Sequence, residues 1–288
     1  MNIQTRIELF LFNRIGHYLE KCINTAERKL YYSNLLSQEF FPETITKADN
    51  WKQRLITYQF RKNYNPTKPS PFFRQIIKES VWGGKVGQNW HEEEGKDDPE
   101  LDKYGRWRNI QLNQCHIFLS KHPEIKQIIE VGCGNGKYLQ QIQNTFGNPY
   151  AYLGIDLSVE QINWNQTHYP DIQFIAGAAE EMKTTEFKEG NIFITFGTLS
   201  CFTETELETW LNQIHALPGF QALCIAEWNE SYDPELEMHS QPMSPTLYNH
   251  PYKRMVIKAG FEINALEYND SSDIFPGYTR TILTAHKS

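Results

Sequence analysis

The sequence has few cysteines, no long apolar run and no excess of basic residues. Its five cysteines are odd in number and show no C-x-x-C spacing, which favours reduced, mostly buried thiols in a reducing compartment. No apolar stretch approaches the roughly 20 residues that a membrane-spanning helix needs. The net charge of −7 argues against a nucleic-acid surface, for which a basic patch is expected. We therefore expect a cytoplasmic chain that has neither nucleic acid nor membrane as a partner.

Strands and helices alternate from residue 127 onward, which predicts an α/β sheet with crossover helices. The predicted strands are residues 127–131, 150–155, 172–176, 191–196, 220–227, 261–267 and 279–285. The predicted helices are residues 137–146, 159–168, 204–217 and 251–259, with a weaker one at 180–187. The last two strands are joined without a helix, so the final strand is expected to return antiparallel.

The first 105 residues have a different pattern. Apolar residues recur at helical spacing from Ile3 to Leu30, and prolines at 66, 69 and 71 separate further helical segments. We predict a helical extension over residues 1–105 and a second domain over 106–288. The extension is interpreted as a packing element, as a cap over a substrate pocket, or as the surface of a homodimer.

Residues 81–91 combine three glycines with Trp82 and Trp90. This composition favours a mobile lid with aromatic contacts, and the alternative is a static surface loop.

A glycine-rich turn follows the first predicted strand, at residues 128–136. The strand contains Glu130, and Gly132, Gly134 and Gly136 then occupy alternate positions before a helix begins. Glycines let the backbone pass close to a ligand, and the helix directs its free N–H groups to the same point. The spacing is G-x-G-x-G and differs from the G-x-G-x-x-G of a dinucleotide site. A ligand site is expected here, although an ordinary tight turn has the same local pattern.

A carboxylate, Asp156, closes the second predicted strand about 20 residues after the glycines, where an acid can accept both hydroxyls of a ribose. The alternative is that Asp156 caps the next helix. Ser158 already provides that cap, with Gln161 three residues later as in a capping box. We therefore favour ribose binding for Asp156.

Glu130, the three glycines and Asp156 resemble motif I and the following acidic position of class I S-adenosylmethionine (SAM)-dependent methyltransferases. The resemblance covers residues from about 106 to the C-terminus. It implies SAM as the cofactor and a seven-stranded Rossmann-like sheet of order 3-2-1-4-5-7-6 with an antiparallel last strand.

The resemblance also implies roles for single residues in cofactor binding. Glu130 organises the turn, Asp156 binds the ribose and Leu157 packs on the adenine. An acid that commonly meets the adenine after the third strand is replaced by Ala178, so this contact is expected from Ala179 or Glu180. The complete predicted cofactor site consists of Glu130, Gly132, Cys133, Gly134, Gly136, Asp156, Leu157, Ala179, Glu180 and Phe196.

Catalytic residues are harder to predict because methyl transfer mainly requires alignment of the acceptor and exclusion of water. A base is needed only where the acceptor must lose a proton. His250 is the first candidate and His91 the second, with a surface histidine as the alternative for each. Arg106 or Arg108 is expected to meet the methionyl carboxylate, unless it simply stacks on a tryptophan. Glu227 alone suits a metal, so no metal is expected.

The segment after the fourth strand, residues 197–202, lacks the Asn-Pro-Pro-Tyr or Asp-Pro-Pro-Tyr motif of family members that act on DNA or on protein amides. We therefore expect methyl transfer to an O or N atom of a small molecule, such as a sugar, a glycan precursor or a secondary metabolite. Two rivals remain. A nicotinamide-dependent enzyme is disfavoured by the glycine spacing, and a non-catalytic scaffold is disfavoured by the intact glycines and Asp156.

Overall fold

The computed structural model describes residues 32, 55–56, 60, 64–65, 69–84, 105–182, 187–229, 240–243, 246–270 and 279–287. The chain divides into two compact units, Met1–Val86 and Gly87–Ser288. The domain boundary predicted between residues 105 and 106 lies within the second unit, at the start of that unit's first described helix.

In the first unit, helix α1 (Pro71–Ile76) continues into a π-helical segment, Ile77–Trp82. The segment packs in an apolar cluster whose buried members are Tyr32, Leu55, Ile56, Phe73, Ile76, Ile77 and Val81. Trp82 packs against the same cluster, so Val81 and Trp82 belong to a helical core and not to a lid. The rest of the predicted lid from residue 85, including His91, lies outside the described residues. Most of the predicted N-terminal helices lie outside them too, so the cap and the homodimer stay predictions.

The second unit contains a seven-stranded sheet. Its strands are β1 (Gln127–Val131), β2 (Ala151–Asp156), β3 (Gln173–Ala176), β4 (Asn191–Phe196), β5 (Gln221–Asn229), β6 (Phe261–Asp270) and β7 (Thr279–Lys287). Their spatial order is 3-2-1-4-5-7-6. Strands β1 to β5 are parallel, and β7 is antiparallel to both of its neighbours. The predicted fold class and strand order are confirmed.

Among the described residues of the second unit, five α-helices connect or flank these strands. They are α2 (Gly105–Leu119), α3 (Lys137–Phe146), α4 (Val159–His168), α5 (Glu204–Ala216) and α6 (Tyr252–Lys258). Thr203 and Glu206 form a complete capping box at the start of α5. The helix predicted at 180–187 is only a short 3-10 turn, Ala179–Glu181, before residues 183–186 leave the described range.

The sheet is covered by helices on both faces. Side chains alternate along β1, so Ile129 packs with α5 and α6 whereas Ile128 packs with α2, α3 and α4. Every residue of β1 is buried, as expected for the centre of a parallel sheet. The loops at the carboxyl ends of the parallel strands therefore gather at one edge, where ligands bind in such sheets.

The connection after β5 is long, and β5 itself extends two residues beyond its predicted end to include Trp228 and Asn229. The described part of the connection contains a short antiparallel ladder that pairs Gln241–Pro242 with Tyr248–Asn249. Among the helices of the described ranges, none combines the length and apolar character needed to cross a membrane.

Candidate active site

The glycine turn after β1 requires glycine at all three alternate positions. Gly132, Gly134 and Gly136 have φ angles of 73°, 49° and 71°, in the left-handed region that residues with a Cβ disfavour. The N–H groups of Gly132 and Cys133 donate to the carbonyl oxygen of Ile155, at 2.8 and 3.0 Å. The turn is therefore fixed to β2, the strand that ends in the predicted ribose ligand.

That ligand, Asp156, is buried beside the turn. Its Oδ2 accepts from the N–H of Gly134 and its Oδ1 from the N–H of Ser158, both at 2.9 Å. Ser158 caps α4 by accepting from the N–H of Gln161 at 3.3 Å, as predicted. A carboxylate oxygen has two lone pairs, so Asp156 can accept hydroxyl donors in addition to these bonds.

Asn165, on α4, holds the glycine turn from the other side and belongs to no sequence motif. It is buried, and its Nδ2 donates to the carbonyl oxygen of Gly134 at 2.7 Å. Gln161, one turn earlier on α4, donates to Asn165 Oδ1 at 3.3 Å. The only sequence signal is the position of Asn165 three residues after the buried Ile162, on the helix face that meets the sheet.

Cys133 lies inside the turn as a buried free thiol. Burial, followed by the nearby carboxylates of Asp156 and Glu130, raises the pKa of Cys133 well above its usual value. The thiol is therefore neutral and fills space beside the ligand site. Glu130 is itself buried in β1, paired in register with Gly154 of β2.

Two loops meet where the adenine contacts are predicted. The N–H of Gly177, after β3, donates to the carbonyl oxygen of Asp156 at 2.8 Å. Leu157, Ala179 and Glu180 are all half-buried at this junction, and Ala178 is buried. The structure therefore brings the residues expected around the adenine to the same edge as Asp156.

The loop after β4 packs directly on the glycine turn. A Cβ built on Gly132 would lie only 2.1 Å from Oγ1 of Thr198, so Thr198 fills the space that a side chain at Gly132 would need. No motif marks Thr198 in the sequence. The contact joins the carboxyl ends of β1 and β4.

The two candidate arginines at the start of α2 have different surroundings. Arg106 is exposed, and its guanidinium lies 4.8 Å from the ring centroid of Trp107, which matches the alternative interpretation of a stacked surface arginine. Arg108 is half-buried, 5.2 Å from the ring centroid of Phe196 and 5.3 Å from that of Tyr138. Only Arg108 therefore contacts a predicted cofactor residue.

Gln111 ties these elements together from inside the core. The hydroxyl of Tyr138 donates to Gln111 Oε1 at 2.7 Å. Gln111 Nε2 in turn donates to the carbonyl oxygens of Thr195 on β4 and Cys224 on β5, at 2.9 and 2.8 Å. One buried amide thus fixes α2 and α3 to the two strands whose ends border the site.

Phe196, Trp228 and Arg280 form an aromatic and cationic wall between the end of β4 and β7. The guanidinium of Arg280 is buried, 3.6 Å from the ring centroid of Trp228 and 4.2 Å from that of Phe196. Trp228 and Arg280 are register partners in the β5–β7 ladder. Phe196 and Trp228 are half-buried, so this wall borders accessible space at the strand ends.

Glu227, the residue considered for a metal, is buried at the end of β5 and accepts hydrogen bonds from Thr195 and from the loop after β4. Within the described ranges, no three His, Cys, Asp or Glu side chains group together as metal ligands would.

His250, the first candidate for a general base, is fully buried. Its Nε2 lies 3.0 Å from the carbonyl oxygen of Phe202 and must carry the proton, because a carbonyl only accepts. Its Nδ1 therefore accepts from the hydroxyl of Ser240, 2.6 Å away. Asn229 binds the backbone oxygen of His250 at 2.9 Å. In this arrangement His250 joins two loops, and it is not an open base at a pocket edge. His91 lies outside the described residues.

Comparison with known proteins agrees with this geometry. Residues 128–217, from β1 to the end of α5, match the family model of a methyltransferase domain. No curated protein matches the sequence.

Among solved structures, the chain is similar to magnesium protoporphyrin IX methyltransferase from Synechocystis PCC 6803. The form with bound SAM is 14% identical and has a TM-score of 0.53 over 75% of this chain and 97% of that one. The form with bound S-adenosylhomocysteine (SAH) is also 14% identical, with a TM-score of 0.54 over 75% of this chain and 100% of that one. The domain match and this likeness in fold support a SAM-dependent methyltransferase domain over residues 128–217, the segment that contains the glycine turn and Asp156.

Proposed function

We propose that this methyltransferase acts on an O or N atom of a small molecule such as a sugar, a glycan precursor or a secondary metabolite. The observation that carries the proposal is the loop after β4. Its residues 197–202 contain no Pro-Pro-Tyr sequence and pack back on the glycine turn through Thr198. The net charge of −7 further disfavours a nucleic-acid acceptor.

The residues around the turn fit SAM. The three left-handed glycines provide a side-chain-free cradle for the methionyl part, with Cys133 and Glu130 beside it. We assign the methionyl carboxylate to Arg108, the ribose hydroxyls to Asp156, and the adenine to the junction of Leu157 with Ala179 and Glu180. Phe196 borders the site and lies between Arg108 and Arg280. When bound, SAM supplies a methyl group already activated by the positive sulfonium.

The chain's own contribution is then to align the acceptor and exclude water. The half-buried rings of Phe196 and Trp228, held by Arg280, offer apolar contact area for this purpose. Where the acceptor must lose a proton, His250 can receive it only through the hydroxyl of Ser240, which occupies Nδ1. His91 remains the second candidate.

The free thiols of Cys115, Cys133 and Cys224, all buried, support the proposed reducing, cytoplasmic location. We propose neither nucleic acid nor membrane as a partner. A homodimer through the N-terminal helices is a further proposal, which sedimentation velocity of the full-length protein would test.

The proposal is tested by incubating the full-length protein with SAM and a panel of sugars, nucleotide sugars, phenols and amines. Product methylation is detected by mass spectrometry, with an oligonucleotide and an unfolded protein as competing acceptors. Methylation confined to small molecules supports the proposal, and methylation of only the oligonucleotide or the protein refutes it. Binding of NADH in place of SAH would favour the nicotinamide rival. SAH binding without turnover on any acceptor would favour the scaffold.

A further inference from the structure

Glu227 is surrounded by hydrogen-bond donors at the carboxyl ends of β4 and β5. Its Oε1 accepts from the hydroxyl of Thr195 at 2.7 Å and from the N–H of Thr198 at 3.2 Å, and its Oε2 accepts from the N–H of Leu199 at 3.1 Å. Two of these three donors are backbone groups of the loop at residues 197–202. An N–H group cannot accept, so only the ionised carboxylate satisfies all three donors at full strength.

The loop that Glu227 holds is the one that packs on the cofactor turn. Thr198, whose N–H bonds to Glu227, also places its side chain in the space beside Gly132. At the far end of the loop, the carbonyl oxygen of Phe202 is bound by His250. Glu227 is therefore the ionisable contact at the cofactor end of the loop.

We infer that Glu227 is a positioning residue whose ionised carboxylate holds residues 197–202 against the glycine turn and thereby sets the affinity for the cofactor. The inference rests on the assignment of the glycine turn as the cofactor site under the proposed function. Glu227 does not touch the cofactor in this scheme; it acts through Thr198 and the loop backbone.

The carboxyl of Glu227 is placed to change its charge near neutral pH. Burial raises the pKa of Glu227 to about 7, although the Thr195 hydroxyl, the loop N–H groups and Arg280 all act to lower it. Among the described residues, Arg280 on β7 is the charged group that lowers this pKa, Cys201 lies within the loop, and His250 contacts the loop at Phe202. Protonation adds an O–H that the Thr195 hydroxyl can accept, but a carboxylic acid is a weaker acceptor than a carboxylate, so the bonds from the N–H groups of Thr198 and Leu199 weaken as the pH falls through 7.

The size of the effect follows from the ionised fraction. With a pKa of about 7, that fraction falls from about nine-tenths at pH 8 to about one-tenth at pH 6. When the two forms of a protein bind with different affinity, the apparent affinity is their average weighted by population. If the protonated form binds SAH about tenfold more weakly, the Kd for SAH should rise about fivefold between pH 8 and pH 6.

The test is isothermal titration of SAH into the full-length protein between pH 6 and pH 8.5. Glu227→Gln should bind SAH about tenfold more weakly than the wild type at pH 8 and should lose most of the pH dependence, because an amide nitrogen cannot accept from the loop. Glu267→Gln is the control. Glu267 is an exposed glutamate on the edge strand β6 that accepts from Gln114 at 2.7 Å, and its variant should keep the wild-type profile.

Thr195→Val supplies a second readout that a purely structural role would not produce. It removes one donor to the carboxylate with little change in shape, so the pKa of Glu227 rises and the midpoint of the pH profile should move upward. This variant keeps the inference testable if Glu227→Gln unfolds, which circular dichroism would reveal.

A wild-type Kd that is constant from pH 6 to pH 8.5 would overturn the inference. So would a pH dependence that persists unchanged in Glu227→Gln and Thr195→Val. Failure of the wild type to bind SAH at any pH would instead refute the cofactor assignment itself, so the two failures are distinguishable.

Discussion

The side-chain amide of Asn165 donates a hydrogen bond to the carbonyl oxygen of Gly134, 2.7 Å away, and joins helix α4 to the glycine turn. Asn165 follows the predicted ribose ligand by nine positions, yet it acts on the opposite side of the turn. The turn is thus held by β2 through Ile155 and by α4 through Asn165, and its conformation does not depend on the glycines alone.

Replacement of Asn165 by leucine should therefore weaken both folding and cofactor binding. Loss of a buried hydrogen bond that leaves a carbonyl unsatisfied costs about 1–3 kcal/mol. We expect a loss of that size in urea unfolding and a several-fold higher Kd for SAH. Asn163→Leu, at an exposed position of the same helix, is the control and should change neither quantity appreciably. Equal effects of the two variants would mean that the bond to Gly134 does not shape the site.

Gly132 and Gly147 offer a comparison between backbone strain and steric contact. Both have positive φ angles, 73° and 74°, so alanine at either position is strained by about 1–3 kcal/mol. A Cβ on Gly132 would lie 2.1 Å from Thr198 Oγ1, whereas the nearest atom to a Cβ on Gly147 is Pro149 Cδ at 3.9 Å. Both alanine variants should lower the melting temperature, and only Gly132→Ala should also reduce SAH binding, by more than ~10-fold. Undiminished binding by Gly132→Ala would remove Thr198 from the site.

Asp156→Ala should weaken SAH binding by more than ~10-fold, because charge-assisted bonds to hydroxyls contribute a few kcal/mol. Asp171→Ala removes an exposed acid before β3 and is the charge-matched control. Isothermal titration measures both, with circular dichroism to confirm that each variant is folded. A folded Asp156→Ala protein with wild-type affinity would refute the ribose assignment.

His250→Ala distinguishes a structural histidine from a catalytic base. The variant leaves the Ser240 hydroxyl and the Phe202 carbonyl without their partner, which should cost on the order of 3 kcal/mol in urea unfolding. Loss of a general base typically lowers the rate 10²- to 10⁴-fold. We expect a fall of less than ~10-fold per folded molecule, measured as SAH release once an acceptor is known. The exposed His116→Ala variant should leave stability unchanged. A fall of a hundredfold or more without loss of stability would restore His250 as the base.

Several elements could be predicted from the sequence because their signals are local. The bounds of β1, β4, α3 and α4 agree with the predicted ones, since the apolar period and the caps lie within each segment. The glycine turn was recognisable for the same reason, because left-handed φ angles require glycine at fixed positions. The strand order followed from the family resemblance and not from any local pattern.

The tertiary structure alone decided which distant residues meet. Arg106 and Arg108 are two positions apart, and the sequence does not favour one over the other as the ligand of the methionyl carboxylate. Helix α2 docks on the sheet so that, of the two, only Arg108 lies beside Phe196. The sequence suggests His250 as a base at a pocket edge. In the fold, the loop after β5 instead buries His250 against Phe202. Such contacts depend on how helices and loops pack on the finished sheet, and no periodic pattern in the sequence predicts them. The sequence by itself determined the glycine turn, whereas only the folded sheet decided what holds that turn in place.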